Sequence, residues 1–231
     1  MRNAKEIFIK QAKDMFKNIG VLVQFIIFPV VALIMTRLVA MPNYDIPNDM
    51  FVTMMAAIFA GMGLVSSTAG VIAEDIENKS LRLLVMAGVK PQQYLLGVGG
   101  FILLAAAVTS VAFGVIGGFA SAEMLKFLAI MVTGAAASII LGATIGIFAK
   151  NQQAATGIAL PIAMILGFTP MIANFNETVD RVAVVFHTQQ LNTIVNDFDA
   201  NFTKAIGIVC ANIAILTILF AIAYKKKGLK G

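Results

Sequence analysis

The sequence predicts an all-α membrane protein with six spanning helices, and three observations predict it. The 231 residues are 59% hydrophobic and only 13% charged, with a mean hydropathy of +0.90. Soluble domains run at about 45–50% apolar and about 25% charged, and disordered chains are charge-rich and poor in apolar residues. The apolar residues gather into six long runs, at residues 20–40, 50–73, 95–120, 127–149, 154–175 and 205–224. Each approaches or exceeds the roughly 20 residues a helix needs to cross about 30 Å of hydrocarbon, and none alternates as a membrane β-strand does. Residues 1–231 therefore read as a single transmembrane domain.

Orientation follows from the basic residues. If the six runs cross, Arg37, Lys126, Arg181 and Lys204 fall on one side and the other 13 of the 17 Lys and Arg on the opposite side. The positive-inside rule makes that richer side cytoplasmic and puts both termini there. The net charge of +5 thus marks topology rather than nucleic acid, which would need a basic patch on a polar fold.

Residues 1–19 come first. Phe8, Ala12, Met15, Phe16 and Ile19 fall on one helical stripe, with Lys5, Lys10, Lys13 and Lys17 mostly off it. This pattern predicts an amphipathic interfacial helix on the inner membrane face. Glu6 and Asp14 in a long leader argue against a cleaved signal peptide, so the first run is read as an uncleaved span. Pro29 in that run, and Pro161 and Pro170 in the fifth, predict kinks. Gly134, Ser138, Gly142 and Gly146 recur every four residues in the fourth run, a small-residue ladder for close helix packing or a dimer seam; Gly114 and Gly118 repeat the spacing. Residues 176–203 are too polar for a seventh span. Leu191, Ile194, Val195 and Phe198 predict a short amphipathic outer helix there, with a second apolar patch at residues 182–186. His187, the sole histidine, lies between them and reads as a surface or packing residue rather than a sensor.

Absences narrow the chemistry. The span interiors carry no Asp, Glu, Lys or His; Gln24, Ser66, Ser67, Thr68, Thr109, Ser110, Thr133, Thr144, Thr156 and Asn212 are neutral, and Arg37 lies close enough to a span end to snorkel outward. Proton relays place ionisable groups in their spans. No G-x-x-x-x-G-K-[ST] phosphate loop occurs, no H-E-x-x-H and no G-x-S-x-G. The cluster Gly97-Val98-Gly99-Gly100 follows no strand and is not a dinucleotide fingerprint. One cysteine, Cys210, and one histidine leave no metal constellation. The chain therefore reads as a non-enzyme with no catalytic, cofactor or metal site of its own.

The connection between the second and third runs is the informative one. Glu74, Asp75 and Glu77 precede a short apolar pattern at Leu81, Leu84 and Val85; Gly88 is a helix stop and Pro91 pre-sets the next helix. These residues predict a short amphipathic cytoplasmic helix, either a handle for a soluble partner or a surface connection. The loop resembles the first intracellular loop of type-2 permeases of ATP-binding cassette transporters. Glu74, Glu77, Ser80, Leu81, Arg82, Leu84, Gly88, Val89, Lys90, Tyr94, Leu95, Leu96 and Gly97 fit that pattern. Lys79 stands where a glycine is frequent, and Val98 where a lysine often closes the motif.

The resemblance implies a permease subunit of an exporter, working as a pair with a second copy or a paralogue, beside a separate ATPase subunit that would hold ATP and Mg. Glu74, Glu77, Ser80, Leu81, Arg82, Leu84, Gly88, Val89 and Lys90 would then form the ATPase-coupling loop. The leader would be the connecting helix, and the region before the last span would fold back into the outer leaflet. Apolar and small neutral span residues suggest hydrophobic or amphipathic cargo (a drug, a lipid-like molecule or a peptide) crossing the cell membrane. A self-contained channel or secondary transporter, and an ATPase-linked immunity or sensing subunit, stand as alternatives.

Overall fold

The computed structural model describes residues 2–42, 46–196 and 198–227. The expected cytoplasmic tail at residues 228–231 lies outside them, as do the side chains of Phe16 and Lys17. Among the described residues every regular element is helical, and six helices are long and apolar enough to cross a membrane. The chain is a multi-pass helical membrane protein in outline.

Helix α1 (Arg2–Lys17) leads into α2 (Ile19–Met35), whose start is capped by the Asn18 carboxamide accepting from the Val21 N–H. A π-helical turn at Thr36–Ala40 extends α2. The second span is broken into α3 (Met50–Ile58), a π-helical turn at Phe59–Gly63 and α4 (Leu64–Glu77). Then follow α5 (Ser80–Met86), α6 (Pro91–Gly117), α7 (Ser121–Phe148) and α8 (Gln152–Ala173). Short helices α9 (Glu177–Ala183) and α10 (His187–Asn196) precede α11 (Phe202–Lys227).

These helices start and stop on their caps, not at the edges of the apolar runs. Pro91 opens α6 four residues before its apolar run, while Gly118, at φ +68°, ends it by accepting the left-handed conformation. Asn151 caps α8 by accepting from the Ala154 N–H, and α7 begins at Ser121 with Glu123 accepting from the Ala120 N–H. Apolar runs measure what lipid or core must cover, so they miss these polar first turns.

The broken second span and α7 form the centre. The most apolar stretch of the second span is 67% buried, against 17% for that of α11. Gly142 and Gly146 make this packing close. A Cβ at Gly142 would sit 2.5 Å from the Val65 carbonyl oxygen, and one at Gly146 2.8 Å from that of Ala69. Two members of the expected ladder thus seat α7 on α4 within the chain, but Gly134 does not, since a Cβ there would meet nothing within 4 Å. At the π-helical turn, a Cβ on Gly61 would lie 2.5 Å from the Gly167 nitrogen, so backbone meets backbone between the second span and α8. Phe59 in the same turn packs on Phe25, Phe28 and Phe113. By contrast α2 and α11 leave Ile26, Ile27, Leu33, Ile215, Ile218 and Ile222 exposed, an apolar surface suited to lipid. An apolar cleft of about 510 Å³ opens between α2 and α6 among Phe25, Ile26, Val30, Phe101, Leu104 and Val108.

Helix α1 docks on α6. Met15 of the expected stripe is buried, but Ile7 and Gln11 take the inward places beside it, while Phe8 and Ala12 are only half-buried and Ile19 is exposed. The shift has a local cause in Gly97, where the absent side chain leaves room for Ile7; a Cβ there would lie 2.6 Å from the Ile7 Cβ. Phe8 stacks edge-on against Phe101 beside it.

Candidate coupling surface

The chain turns twice between α4 and α6, and each turn has a backbone cause. At the end of α4, Lys79 takes φ +58° and is the sole non-glycine with positive φ among the described residues. At the end of α5, Gly88 takes φ +78°; its N–H donates to the Val85 carbonyl and the Val89 N–H to the Leu84 carbonyl. That paired pattern is a Schellman close, which places Val89 against the helix it ends. The start of α6 is then fixed by Gln93 accepting from the Lys90 N–H at 3.0 Å, with Pro91 in the first turn.

The apolar face read from the sequence, at Leu81, Leu84 and Val85, is turned inward. Leu81 is 5% exposed, and Leu84 and Val85 pack partly against the core. The face left outside carries Arg82, Leu83 and Met86, with Leu83 62% and Met86 67% exposed. Leu81 and Leu84 therefore hold α5 onto the spans, and Leu83 and Met86 are available to another protein. The i, i+3, i+4 spacing thus marked the packed face, and left open whether a partner or the spans would cover it.

Ionic and polar contacts fix this connection to four helices. Lys10 of α1 donates to Asp75 Oδ1 at 2.5 Å, and the Tyr94 hydroxyl of α6 donates to Asp75 Oδ2 at 2.8 Å. Asp75 is 5% exposed, so the two donors offset the cost of burying its charge. Partial burial pulls the Lys10 ammonium down, but the hydrogen bond and charge of Asp75 outweigh it and hold its pKa above the usual lysine value. The flanking acids serve a different neighbour. Glu74 accepts from the Gln152 side-chain amide at 2.8 Å, and Glu77 from the Gln152 backbone N–H at 3.2 Å. A carboxylate at the first turn of α8 also opposes that helix's dipole. From the far end of the chain, the Tyr224 hydroxyl donates to the Val89 carbonyl at 3.4 Å. Of the other expected loop residues, Ser80 is half-buried at the start of α5, and Arg82 and Lys90 are exposed. Asp75 was named only as one of the acids before the turn and given no role; nothing in its neighbourhood along the chain hinted at the contact with Lys10, 65 positions away.

Deeper in the bundle lies a polar layer that hydropathy did not foretell. Helix α10 packs among α3, α7, α8 and α11, and His187, Thr188, Gln189, Gln190 and Asn192 are all buried. His187 Nε2 pairs with Ser138 Oγ at 2.7 Å, so Ser138 serves as a hydrogen-bond partner as well as a small ladder residue. Thr188 donates to the Leu166 carbonyl at 2.7 Å, Gln189 to Asp180 at 2.7 Å, and Asn192 to Asn174 at 2.6 Å. Burial pushes the His187 imidazole down to about 4, so it is neutral at pH 7. Most span hydroxyls are spent locally: Ser67, Ser110, Thr133, Thr144 and Thr156 donate to carbonyls one turn back.

No cluster of three His, Cys, Asp or Glu side chains able to hold a metal occurs among the described residues. No protein-family model matches the chain and no curated protein matches it.

Proposed function

We propose that the chain is the membrane-spanning permease subunit of an ATP-binding cassette exporter. The observation that carries the reading is α5: an exposed Arg82, Leu83 and Met86 surface on a short helix seated by Leu81 and joined to the last turn of α4, which is itself tied to α1, α6 and α8. A push on that surface would pass through Leu81 to the core and through the last turn of α4, by Asp75 to α1 and α6 and by Glu74 with Glu77 to the start of α8. The backbone supports the resemblance at Lys79, where the pattern's frequent glycine coincides with a left-handed residue.

In this reading the end holding α1 and α5 is cytoplasmic, as the basic residues suggest, and α1 lies along the inner face of the cell membrane. A separate ATPase subunit, holding ATP and Mg, seats α5. A second copy or a paralogue completes the pathway, and the lining is made of apolar and small neutral groups suited to hydrophobic or amphipathic cargo. Purification of the tagged chain in mild detergent tests this. A stoichiometric ATPase should accompany it and be lost on joint Leu83→Asp and Met86→Asp replacement, with the fold intact by circular dichroism. A chain that arrives alone and passes ions in vesicles supports the self-contained transporter instead, for which the break at Gly61 beside Gly167 is the favouring observation.

A further inference from the structure

Helix α10 is unusual in what it buries. A helix inside an apolar bundle ordinarily turns aliphatic side chains inward, yet here Leu191 and Ile194 share the buried face with His187, Thr188, Gln189, Gln190 and Asn192. Directional bonds to several helices hold it: Ser138 on α7, the Leu166 carbonyl on α8 and Asn174 just past α8. Asn212 of α11 donates to the Val185 carbonyl at the turn before it. Its first residue also reaches deep. Ser138 lies roughly 25 Å along α7 from Ser121 at about 1.5 Å per residue, so the N-terminal end of α10 sits within the bundle and not at its rim. Water can replace each of these bonds when the helix leaves, which aliphatic packing would not allow.

We propose that α10 is held by a proton-sensitive latch: the His187–Ser138 pair fixes its N-terminal end in the bundle, and proton uptake by the imidazole releases it. Among the described residues no carboxylate is bonded to the imidazole, whose partner is the neutral Ser138 hydroxyl. Helices α3 and α8 carry no titratable residue. On α7, Glu123 caps the helix start and Lys126 pairs with Asp199, both near the far end from Ser138. On α9, Asp180 accepts from Gln189, and Arg181 pairs with Glu177. On α11, Lys204 lies in the first turn, Cys210 is exposed, and Tyr224, Lys225, Lys226 and Lys227 lie near the far end. Burial is accordingly the sole cause that lowers the imidazole to about 4.

Protonation therefore favours the released state. A histidine at about 4 when latched and 6.5 when released shifts the latched-to-released equilibrium by roughly 30-fold between pH 7.5 and pH 5.0. The inference stands apart from the exporter proposal, because it concerns the chain alone and invokes no ATPase.

Cysteine accessibility in reconstituted vesicles tests it. In a Cys210→Ser background, Leu191→Cys places a buried thiol on α10, and Val185→Cys gives an exposed reference thiol that corrects for thiol ionisation at each pH. The ratio of their methanethiosulfonate reaction rates should rise on the order of 10- to 30-fold from pH 7.5 to pH 5.0. His187→Gln, which can still bond Ser138 but does not titrate, should flatten that rise, and Ser138→Ala should raise the ratio already at pH 7.5. A flat ratio with His187 present would overturn the proposal, as would an equal rise in His187→Gln.

Discussion

Replacing Gly142 with alanine should destabilise the bundle, while the same change at Gly134 should not, although both belong to one ladder on one helix. At Gly142 the new methyl would sit 2.5 Å from the Val65 carbonyl oxygen and 2.9 Å from the Thr68 Cβ. The first of these is backbone, so no rotamer relieves it, and α4 and α7 must separate by roughly half an ångström or more. Overpacking of that kind costs about 1–3 kcal/mol, against a gain of about 1 kcal/mol in helix propensity from removing a glycine. The net is a loss on the order of 1 kcal/mol or somewhat more. At Gly134 no atom lies within 4 Å of the added methyl, so only the gain of about 1 kcal/mol remains. For a chain of this size, about 1 kcal/mol moves a melting midpoint by roughly 2–4 °C. Thermal unfolding of the three proteins in one detergent, followed by circular dichroism, should rank Gly134→Ala at or above the parent and Gly142→Ala several degrees below it. Equal midpoints for the two variants, or the reverse order, would refute the packing of α7 on α4.

The remaining expectations concern the α4–α6 connection. Lys79→Gly should raise stability by about 1 kcal/mol, since glycine enters the left-handed region without the penalty a side chain meets there; a midpoint no higher than the parent's would contradict the backbone assigned to that turn. Asp75→Asn should loosen α1 from the bundle, seen as faster motion of a spin label at Ile9, which is 38% exposed. In the parent the Lys10–Asp75 tie should hold from neutral pH up to the ordinary lysine value near 10.5 and weaken as pH climbs through the raised Lys10 pKa. A label equally mobile in parent and Asp75→Asn, or a tie insensitive to strong alkali, would argue against it.

The six spans were legible because hydropathy integrates over about 20 residues and local polar exceptions hardly change the sum. Their ends were not, because caps such as Asn151 and Pro91 act through single backbone groups. The stop at Gly88 could be read from its residue type, and the turn at Lys79 only as a departure from a pattern. The facing of α5 was half legible: the spacing of Leu81, Leu84 and Val85 marked an apolar face, but not whether a partner or the spans cover it. His187 was harder still. A lone histidine in a polar stretch reads as surface or packing alike, and its partner Ser138 is 49 positions away, so no local pattern joins them. The tie between Lys10 and Asp75 is hidden for the same reason.

The most direct test of the coupling surface is a photo-crosslinking side chain placed at Leu83, with Leu81 and the lipid-facing Ile218 as controls, in cells that make the chain at its natural level. The expected result is one polypeptide adduct from Leu83, carrying a nucleotide-binding phosphate loop when identified by mass spectrometry, and none from the controls. Adducts at Leu83 to lipid alone, or to no protein with such a loop, would contradict the assignment of α5 as the seat of an ATPase.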